Sequence, residues 1–137
     1  LVENEFLLNA SAPATVLRLP KVYGPGGNAD LQTVYSFRQH PNWRWTHGYV
    51  ENVAAAIVLA ALHPAAGGRT YNVGEEYTPT VGERLAALPD SAIEGNTDDT
   101  YHFEQDLAYD TTRIRRELKY REPFTYPEGI RRTLGRT

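Results

Sequence analysis

The 137-residue chain contains neither cysteine nor methionine. Without cysteine there can be no disulfide framework, no thiolate metal site and no cysteine nucleophile. No apolar run is long enough to span a bilayer, and no basic segment followed by an apolar run marks a secretory signal. We therefore expect a cytoplasmic protein without membrane association, in which any bound metal would need histidine and carboxylate ligands.

The composition that is present, 41% hydrophobic and 23% charged, is typical of one ordinary globular domain. Residues 1–110 hold 6 Lys and Arg against 14 Asp and Glu, whereas residues 111–137 hold 8 against 3. A basic segment can indicate nucleic-acid binding. Here the basic residues share a predicted helix with Ile114 and Leu118 and are typical of its solvated face. We predict no nucleic-acid partner.

The order of predicted elements indicates an α/β fold. A helix over residues 1–9 precedes "ATVLRL", a short apolar run between Pro13 and Pro20 that predicts a strand buried on both faces. "YVENVAAAIVLAALHP" predicts the clearest helix, ended by Pro64. Its predicted buried stripe consists of Val50, Val53, Ala54, Ile57, Ala61 and Leu62. A strand at 69–73 follows, and then a helix that Pro89 ends.

Several side chains predict helix starts. Thr80 with Glu83, and Thr125 with Glu128, form capping-box patterns, in which a hydroxyl and a carboxylate satisfy free backbone amides. Asp110 is a predicted cap for the helix "TTRIRREL". Between these helices, "DSAIEGNTDDTYHFEQD" is acidic and aperiodic and predicts a loop, and "LAYD" predicts a brief strand.

The stretch "TVLRLPKVYGPGG" joins the first strand to a turn rich in proline and glycine. Ligands of open α/β sheets lie beyond the carboxyl ends of the strands, and Pro20 to Gly26 occupies that place. Pro20 has a fixed φ, and Gly24, Gly26 and Gly27 permit tight backbone turns. We predict that this loop lies beside a bound molecule.

Three segments resemble one family. "LRLPKVYGPGG" resembles the strand and loop that follow the catalytic Tyr-x-x-x-Lys of extended short-chain dehydrogenases/reductases, the NAD-dependent epimerase/dehydratase family. "YVENVAAAIVLAAL" with "GRTYNVG" is similar to that family's Tyr-Val-Asp-Asp-Val-Ala helix and following strand. "YDTTRIRRELKYREPFTYPEGIRRTL" is similar to its two C-terminal helices. The three segments occur in the family's order.

The resemblance implies the C-terminal part of a Rossmann-like parallel sheet plus a small mixed α/β substrate-binding domain. Residues 1–27 would end the Rossmann domain, and residues 28–137 would form the substrate-binding region with the C-terminal helices. The catalytic tyrosine and lysine are then expected upstream of Leu1, so no catalytic residue is assigned here. The glycine-rich dinucleotide fingerprint does not occur in the sequence, and the chain alone is expected to be inactive.

The resemblance also implies candidate site residues. Those expected to contact the cofactor, NAD or NADP, are Pro20, Val22 and Tyr23. Those expected to contact a small-molecule substrate are Lys21, Arg44 and Tyr49. A lysine stands where the family often has asparagine, which favours a phosphate- or carboxylate-bearing substrate. Arg44 could bind such a phosphate or stack between Trp43 and Trp45.

Other chemistry has weaker support. His40 and His47 lack a metal-binding motif, and we predict surface or core histidines and no metal site. Ser11, Ser36 and Ser91 lack a nucleophile-elbow context. Asp98 and Asp99 could pair as catalytic carboxylates, but a solvated loop is the better interpretation.

The resulting hypothesis is the substrate-binding part of an NAD(P)-dependent epimerase, dehydratase or reductase that acts on a sugar or similar hydroxyl or carbonyl compound. The alternative is a non-catalytic sensor or protein-interaction module with the same fold. The absence of Tyr-x-x-x-Lys upstream of Leu1 in the parent gene would favour that alternative. Unpaired strand edges and apolar helix faces further predict a homo-oligomer.

Overall fold

The computed structural model describes residues 2–25, 31–92, 94–95 and 101–135. Gly26, Gly27, Asp98 and Asp99, which the sequence singled out, lie outside these ranges. The described helices are α1 (Val2–Asn9), α2 (Leu31–Ser36), α3 (Val50–Leu62), α4 (Val81–Ala86), α5 (Thr112–Leu118) and α6 (Tyr126–Thr133). The described strands are β1 (Thr15–Arg18), β2 (Lys21–Tyr23), β3 (His47–Tyr49) and β4 (Arg69–Asn72).

The four strands form two small parallel sheets. β1 pairs with β4, from Thr15 opposite Arg69 to Arg18 opposite Asn72. β2 pairs with β3, from Lys21 opposite His47 to Tyr23 opposite Tyr49. The mixed α/β character and the parallel pairing confirm the predicted fold class. Parallel strands need a crossover connection, and α2 lies in the chain segment that connects β2 to β3.

One prediction for the stretch "TVLRLPKVYGPGG" is wrong. Residues Lys21–Tyr23 were expected to lie in a loop, but they form β2. The Lys21 N–H donates to the Thr46 carbonyl at 3.2 Å, where the pairing of β2 with β3 begins. The partner strand lies 26 residues away, and a three-residue strand carries too little periodicity to distinguish it from a loop.

Glycines near Pro20 allow the segments around β2, β3 and the turn after β4 to pack closely. A Cβ atom on Gly48 would lie 2.7 Å from Cγ of Pro20, and one on Gly24 would collide with the Val50 side chain. Gly74 is similarly enclosed by Thr46 and Pro20. Pro20 is therefore buried between β3 and the turn that follows β4.

β1 is less buried than its apolar sequence predicts. Thr15, Val16 and Leu17 are half-buried and Arg18 is exposed, so the prediction of a strand buried on both faces is wrong. Within the described residues β1 has one strand neighbour, β4, which leaves its other edge uncovered. The exposed helix α1 packs beside it, and Arg18 donates to Glu3 of that helix at 2.5 Å.

The buried face of α3 also differs from the predicted stripe. Its buried residues are Asn52, Val53, Ala56 and Ala60, whereas Val50, Ile57 and Leu62 are 40%, 44% and 77% exposed. Small alanines let the helix lie against β1, β2 and β3.

The predicted caps of α4 and α6 are confirmed, whereas the N-cap of α5 is Thr111 and not the predicted Asp110. Thr80 and Thr125 form capping boxes at α4 and α6. The Asp110 carboxylate accepts the Thr112 N–H at 2.9 Å at the start of α5. α4 ends at Ala86, before Pro89. The predicted strand at "LAYD" is limited to a single bridge between Leu107 and Trp45.

Three apolar clusters stabilise this arrangement. The largest joins α3, β4 and α5 through residues such as Ala56, Tyr71 and Ile114. The second lies under α2 and α6 around Tyr23 and Tyr49, and the third surrounds Phe37 and Trp43. No helix among the described residues is long and apolar enough to cross a membrane.

Candidate functional site

A cavity of about 530 Å³ opens at the carboxyl ends of β2 and β3 and beside the segment that follows β4. This is the side on which α/β sheets bind ligands. Four tyrosines and four glutamates dominate the lining. The full lining is Tyr23, Tyr49, Asn52, Glu75, Glu76, Tyr77, Pro79, Glu83, Ala87, Glu122, Thr125 and Tyr126.

The last residues of β2 and β3 supply two buried aromatic rings to this cavity. Tyr23 and Tyr49 are 3% and 2% exposed, and their ring centroids lie 5.8 Å apart. Tyr126, near the start of α6, packs edge-on against Tyr23 at 6.3 Å. Burial raises the pKa of all three phenols, so they remain neutral.

A buried ion pair lies beneath the rings. Arg84 of α4, 1% exposed, donates to both carboxylate oxygens of Glu75 and, at 2.8 Å, to the Trp45 carbonyl. Its guanidinium also lies 5.4 Å from the ring centroid of Tyr126. Glu75 in turn accepts the His47 N–H at 2.8 Å. The pair therefore connects α4, the segment after β4, and β3.

The Glu75 carboxyl experiences opposing influences. Burial raises its pKa above the ordinary value, while the hydrogen bonds and charge of Arg84 act in the other direction. Direct pairing with Arg84 favours the ionised carboxylate, whereas burial favours the neutral acid. The consequence for stability is that neither partner tolerates loss of the other.

Glu83 and Tyr77 form one rim of the cavity. The Tyr77 hydroxyl donates to Glu83 at 2.9 Å, and Glu83 also accepts the Thr80 N–H as part of the helix cap. The Arg44 guanidinium lies 5.4 Å from the Tyr77 ring centroid and donates to the Thr78 carbonyl at 2.5 Å. These contacts hold Arg44 on the outer side of the rim.

Asn52 and Glu122 also line the cavity. The Asn52 amide exchanges two hydrogen bonds with the backbone of Phe124, at 2.8 and 2.9 Å. These bonds fix the segment before α6 against α3. Burial raises the pKa of Glu122 although Arg115 lies 3.6 Å away.

The structure brings together two of the six predicted site residues. Tyr23 and Tyr49 line the cavity. Pro20 packs against Gly48, and Val22 packs against the cluster under α3. Lys21 is half-buried in β2, and Arg44 lies on the outer rim. The predicted cofactor contacts of Pro20, Val22 and Tyr23, and the predicted substrate contacts, remain predictions.

The alternative position of Arg44, between the two tryptophans, is not the one adopted. Its guanidinium lies over Tyr77 instead, and the Trp43 and Trp45 rings pack against each other with centroids 5.7 Å apart. The tryptophans belong to an aromatic cluster that also includes Phe37 and Phe103. Sequence proximity suggested the stacking, but the antiparallel bridge from Arg44 to Thr80 turns its side chain towards Tyr77.

The histidines have the structural roles that the sequence predicted. His40 stacks on Phe103 with centroids 3.5 Å apart, and His47 is buried in β3. Burial, with the charges of Arg84 and Lys21, lowers the pKa of His47 well below its usual value. Within the described ranges no group of three or more histidine and carboxylate side chains could hold a metal ion.

No family model and no curated protein sequence matches this chain. Solved structures do. Epimerase Mth375 from Methanothermobacter thermautotrophicus matches 96% of the chain with a TM-score of 0.73 at 18% identity. UDP-glucose 4-epimerase from Thermotoga maritima, solved with UDP-glucose, matches 96% with a TM-score of 0.73 at 19% identity. RMD from Pseudomonas aeruginosa, complexed with NADPH, matches 98% with a TM-score of 0.72 at 16% identity.

These matches decide the fold. The chain has the fold of the C-terminal part of an extended short-chain dehydrogenase/reductase. It spans 45%, 48% and 51% of the length of those three chains. The extended short-chain dehydrogenase/reductase fold predicted from three sequence segments is therefore confirmed.

Sequence reasoning missed most of the cavity within this fold. Glu75 and Glu76 belong to "NVGEEY", directly after β4, where the rule that ligands lie at carboxyl ends of strands could have indicated them. Glu122 and Tyr126 come from the C-terminal segment, more than 70 residues from β3 in sequence. No local pattern brings them to the strand ends.

Proposed function

We propose that this chain supplies the substrate-binding side of an NAD(P)-dependent epimerase, dehydratase or reductase that acts in the cytoplasm on a sugar or similar hydroxyl or carbonyl compound. The observation that carries the proposal is the cavity of about 530 Å³ at the strand ends, in a fold that the chain shares with an epimerase solved with UDP-glucose and with RMD solved with NADPH. Cavities of this size bury most of a small ligand.

The lining suits a polyhydroxylated ring. Tyrosine faces offer apolar surface to the C–H groups of a sugar, and carboxylates accept hydrogen bonds from its hydroxyl groups. Tyr23 and Tyr49 would form the floor, with Glu76 and Tyr77 at the more exposed rim. Binding there would orient the substrate and exclude water from one of its faces.

The cavity does not fit the cofactor's pyrophosphate. A dinucleotide needs cationic side chains or a cluster of backbone amides at its phosphates, and no lysine, arginine or histidine is among the described residues that line this cavity. Of the three predicted cofactor residues, Tyr23 alone reaches the lining. When bound, a nicotinamide would supply hydride transfer; the residues of this chain would hold the substrate.

The experiment is a pair of titrations on the purified chain, followed by amide NMR shifts and by nucleotide fluorescence. Glucose is expected to shift the resonances of Tyr77 and Glu76 at millimolar concentration, and Tyr77→Ala is expected to weaken that binding. NADH is expected to show no micromolar affinity. Glucose shifts that map away from the cavity, or tight NADH binding, would contradict the proposal.

One observation supports the second candidate, an interaction module. Apolar side chains on α1 and α3 are exposed, including Val2 at 80%, Leu8 at 84%, Val58 at 57% and Leu62 at 77%. Exposed apolar surface of this kind is typical of a protein contact. A chain that binds a protein through α3 but no sugar in the cavity would favour this candidate.

A further inference from the structure

The cavity at the strand ends is rich in hydrogen-bond acceptors, and most donor groups on its wall are already engaged. Tyr49 donates to Glu51 at 3.0 Å, and Tyr77 donates to Glu83 at 2.9 Å. The Asn52 amide donates to the Phe124 carbonyl. A ligand that only accepts hydrogen bonds would therefore find few free donors here.

One further lining donor, the hydroxyl of Thr125, is engaged in the same way. The Thr125 hydroxyl donates to Glu128 at 2.7 Å. Of the four glutamates in the lining, three have an arginine within 4.0 Å, and each of those arginines lies outside the lining. Glu76 has no such salt bridge within the described part of the chain and is exposed at the rim.

The aromatic rings add a second preference. Arg44 already lies over Tyr77, and Arg84 lies over Tyr126, each about 5.4 Å from the ring centroid. The two arginines occupy these faces, and a ligand cation would be attracted in the same way by a tyrosine face that has no arginine over it. A negatively charged group would meet carboxylates and the electron-rich faces of the same rings.

We propose that this tyrosine- and glutamate-lined cavity binds its substrate through a protonated amine, so that the substrate is an amino sugar or a similar hydroxylated ammonium compound. The inference rests on the proposed function and narrows its substrate class. An ammonium offers three donors to an acceptor-rich wall and a positive charge to the rings. The phosphate or carboxylate that Lys21 suggested would not enter this cavity.

The test compares four probes on the purified chain by amide NMR at a pH at which the amines are protonated. The probes are glucosamine, glucose, glucose 6-phosphate and cyclohexylamine. We expect glucosamine to bind about tenfold more tightly than glucose and glucose 6-phosphate to bind more weakly than either. Added salt should reduce the advantage of glucosamine.

Variants separate the charge effect from folding. Glu76→Gln removes one exposed rim carboxylate and is expected to reduce the affinity for glucosamine about threefold more than the affinity for glucose. Glu76→Lys is expected to reverse the preference between glucosamine and glucose 6-phosphate. Glu104→Gln and Glu104→Lys make the same changes at an exposed position outside the cavity. They should alter neither the affinity for glucosamine nor the preference between glucosamine and glucose 6-phosphate.

The outcomes distinguish the two proposals. Equal affinity for glucose and glucosamine would overturn the amine inference and leave the sugar proposal standing. Binding of cyclohexylamine without any sugar would support the cation site and remove the sugar assignment. Tighter binding of glucose 6-phosphate than of glucosamine, or no binding of any probe, would overturn the amine inference.

Discussion

Replacing Arg84 with methionine tests the buried ion pair that connects α4 to β3. Methionine keeps much of the side-chain volume but leaves Glu75, which is 8% exposed, as a buried carboxylate without its cation. The Trp45 carbonyl also loses a donor at 2.8 Å. Removing one partner of a buried pair costs about 3 to 5 kcal/mol, a large share of the 5 to 15 kcal/mol typical of a domain.

The pH dependence of this variant has a defined sign. Without Arg84, burial raises the pKa of Glu75 in the folded state further above its value in the unfolded chain. The folded state then binds the proton more tightly, so the free energy of unfolding of Arg84→Met rises as pH falls through the raised pKa of Glu75. The decrease in the free energy of unfolding of Arg84→Met, relative to the wild type, should be largest at neutral pH and above.

Urea unfolding followed by tryptophan fluorescence measures both effects, because Trp45 contacts Arg84 and packs against Trp43. The double variant Glu75→Gln, Arg84→Met removes both charges and should recover about 2 kcal/mol of the loss. Arg18→Met, which breaks an exposed pair with Glu3, is the matched control and should hardly change the midpoint. Equal losses for the two arginine variants, or no recovery in the double variant, would refute the reasoning.

Two further predictions concern packing and assembly. Gly74→Ala should lower the free energy of unfolding by about 1 to 3 kcal/mol, because the added methyl meets Thr46 and Pro20. Gly67→Ala, with one looser contact to Pro13, is the control, and equal urea midpoints for the two variants would contradict the close packing around Gly74. The exposed apolar faces of α1 and α3 predict self-association, which light scattering should detect and Leu62→Lys should weaken. A monomer at high concentration would refute it.

Local chemistry made the helix starts predictable. Thr80 with Glu83, and Thr125 with Glu128, satisfy backbone amides within four residues, so the pattern and the structure coincide. The position of α3 was equally predictable from its length and from Pro64. Its buried face was not, because the strands accept the small Ala56 and Ala60 and leave the larger Leu62 exposed.

The candidate site, too, was predictable from the sequence only in part. Tyr23 and Tyr49 were predicted from segments with a family resemblance, and both line the cavity. Lys21 and Arg44 were predicted for their charge, but the structure places Lys21 in β2 and holds Arg44 on the outer rim. Charge alone does not indicate the direction in which a side chain points.

By itself, the sequence determined the α/β class, the helix boundaries marked by caps and prolines, and the likeness to one fold, because these depend on interactions between near neighbours in the chain. Tertiary structure decided that Lys21–Tyr23 is a strand and that four tyrosines and four glutamates share one cavity. Those features depend on contacts between segments tens of residues apart. Such contacts are set by packing geometry, which leaves no local periodicity in the sequence.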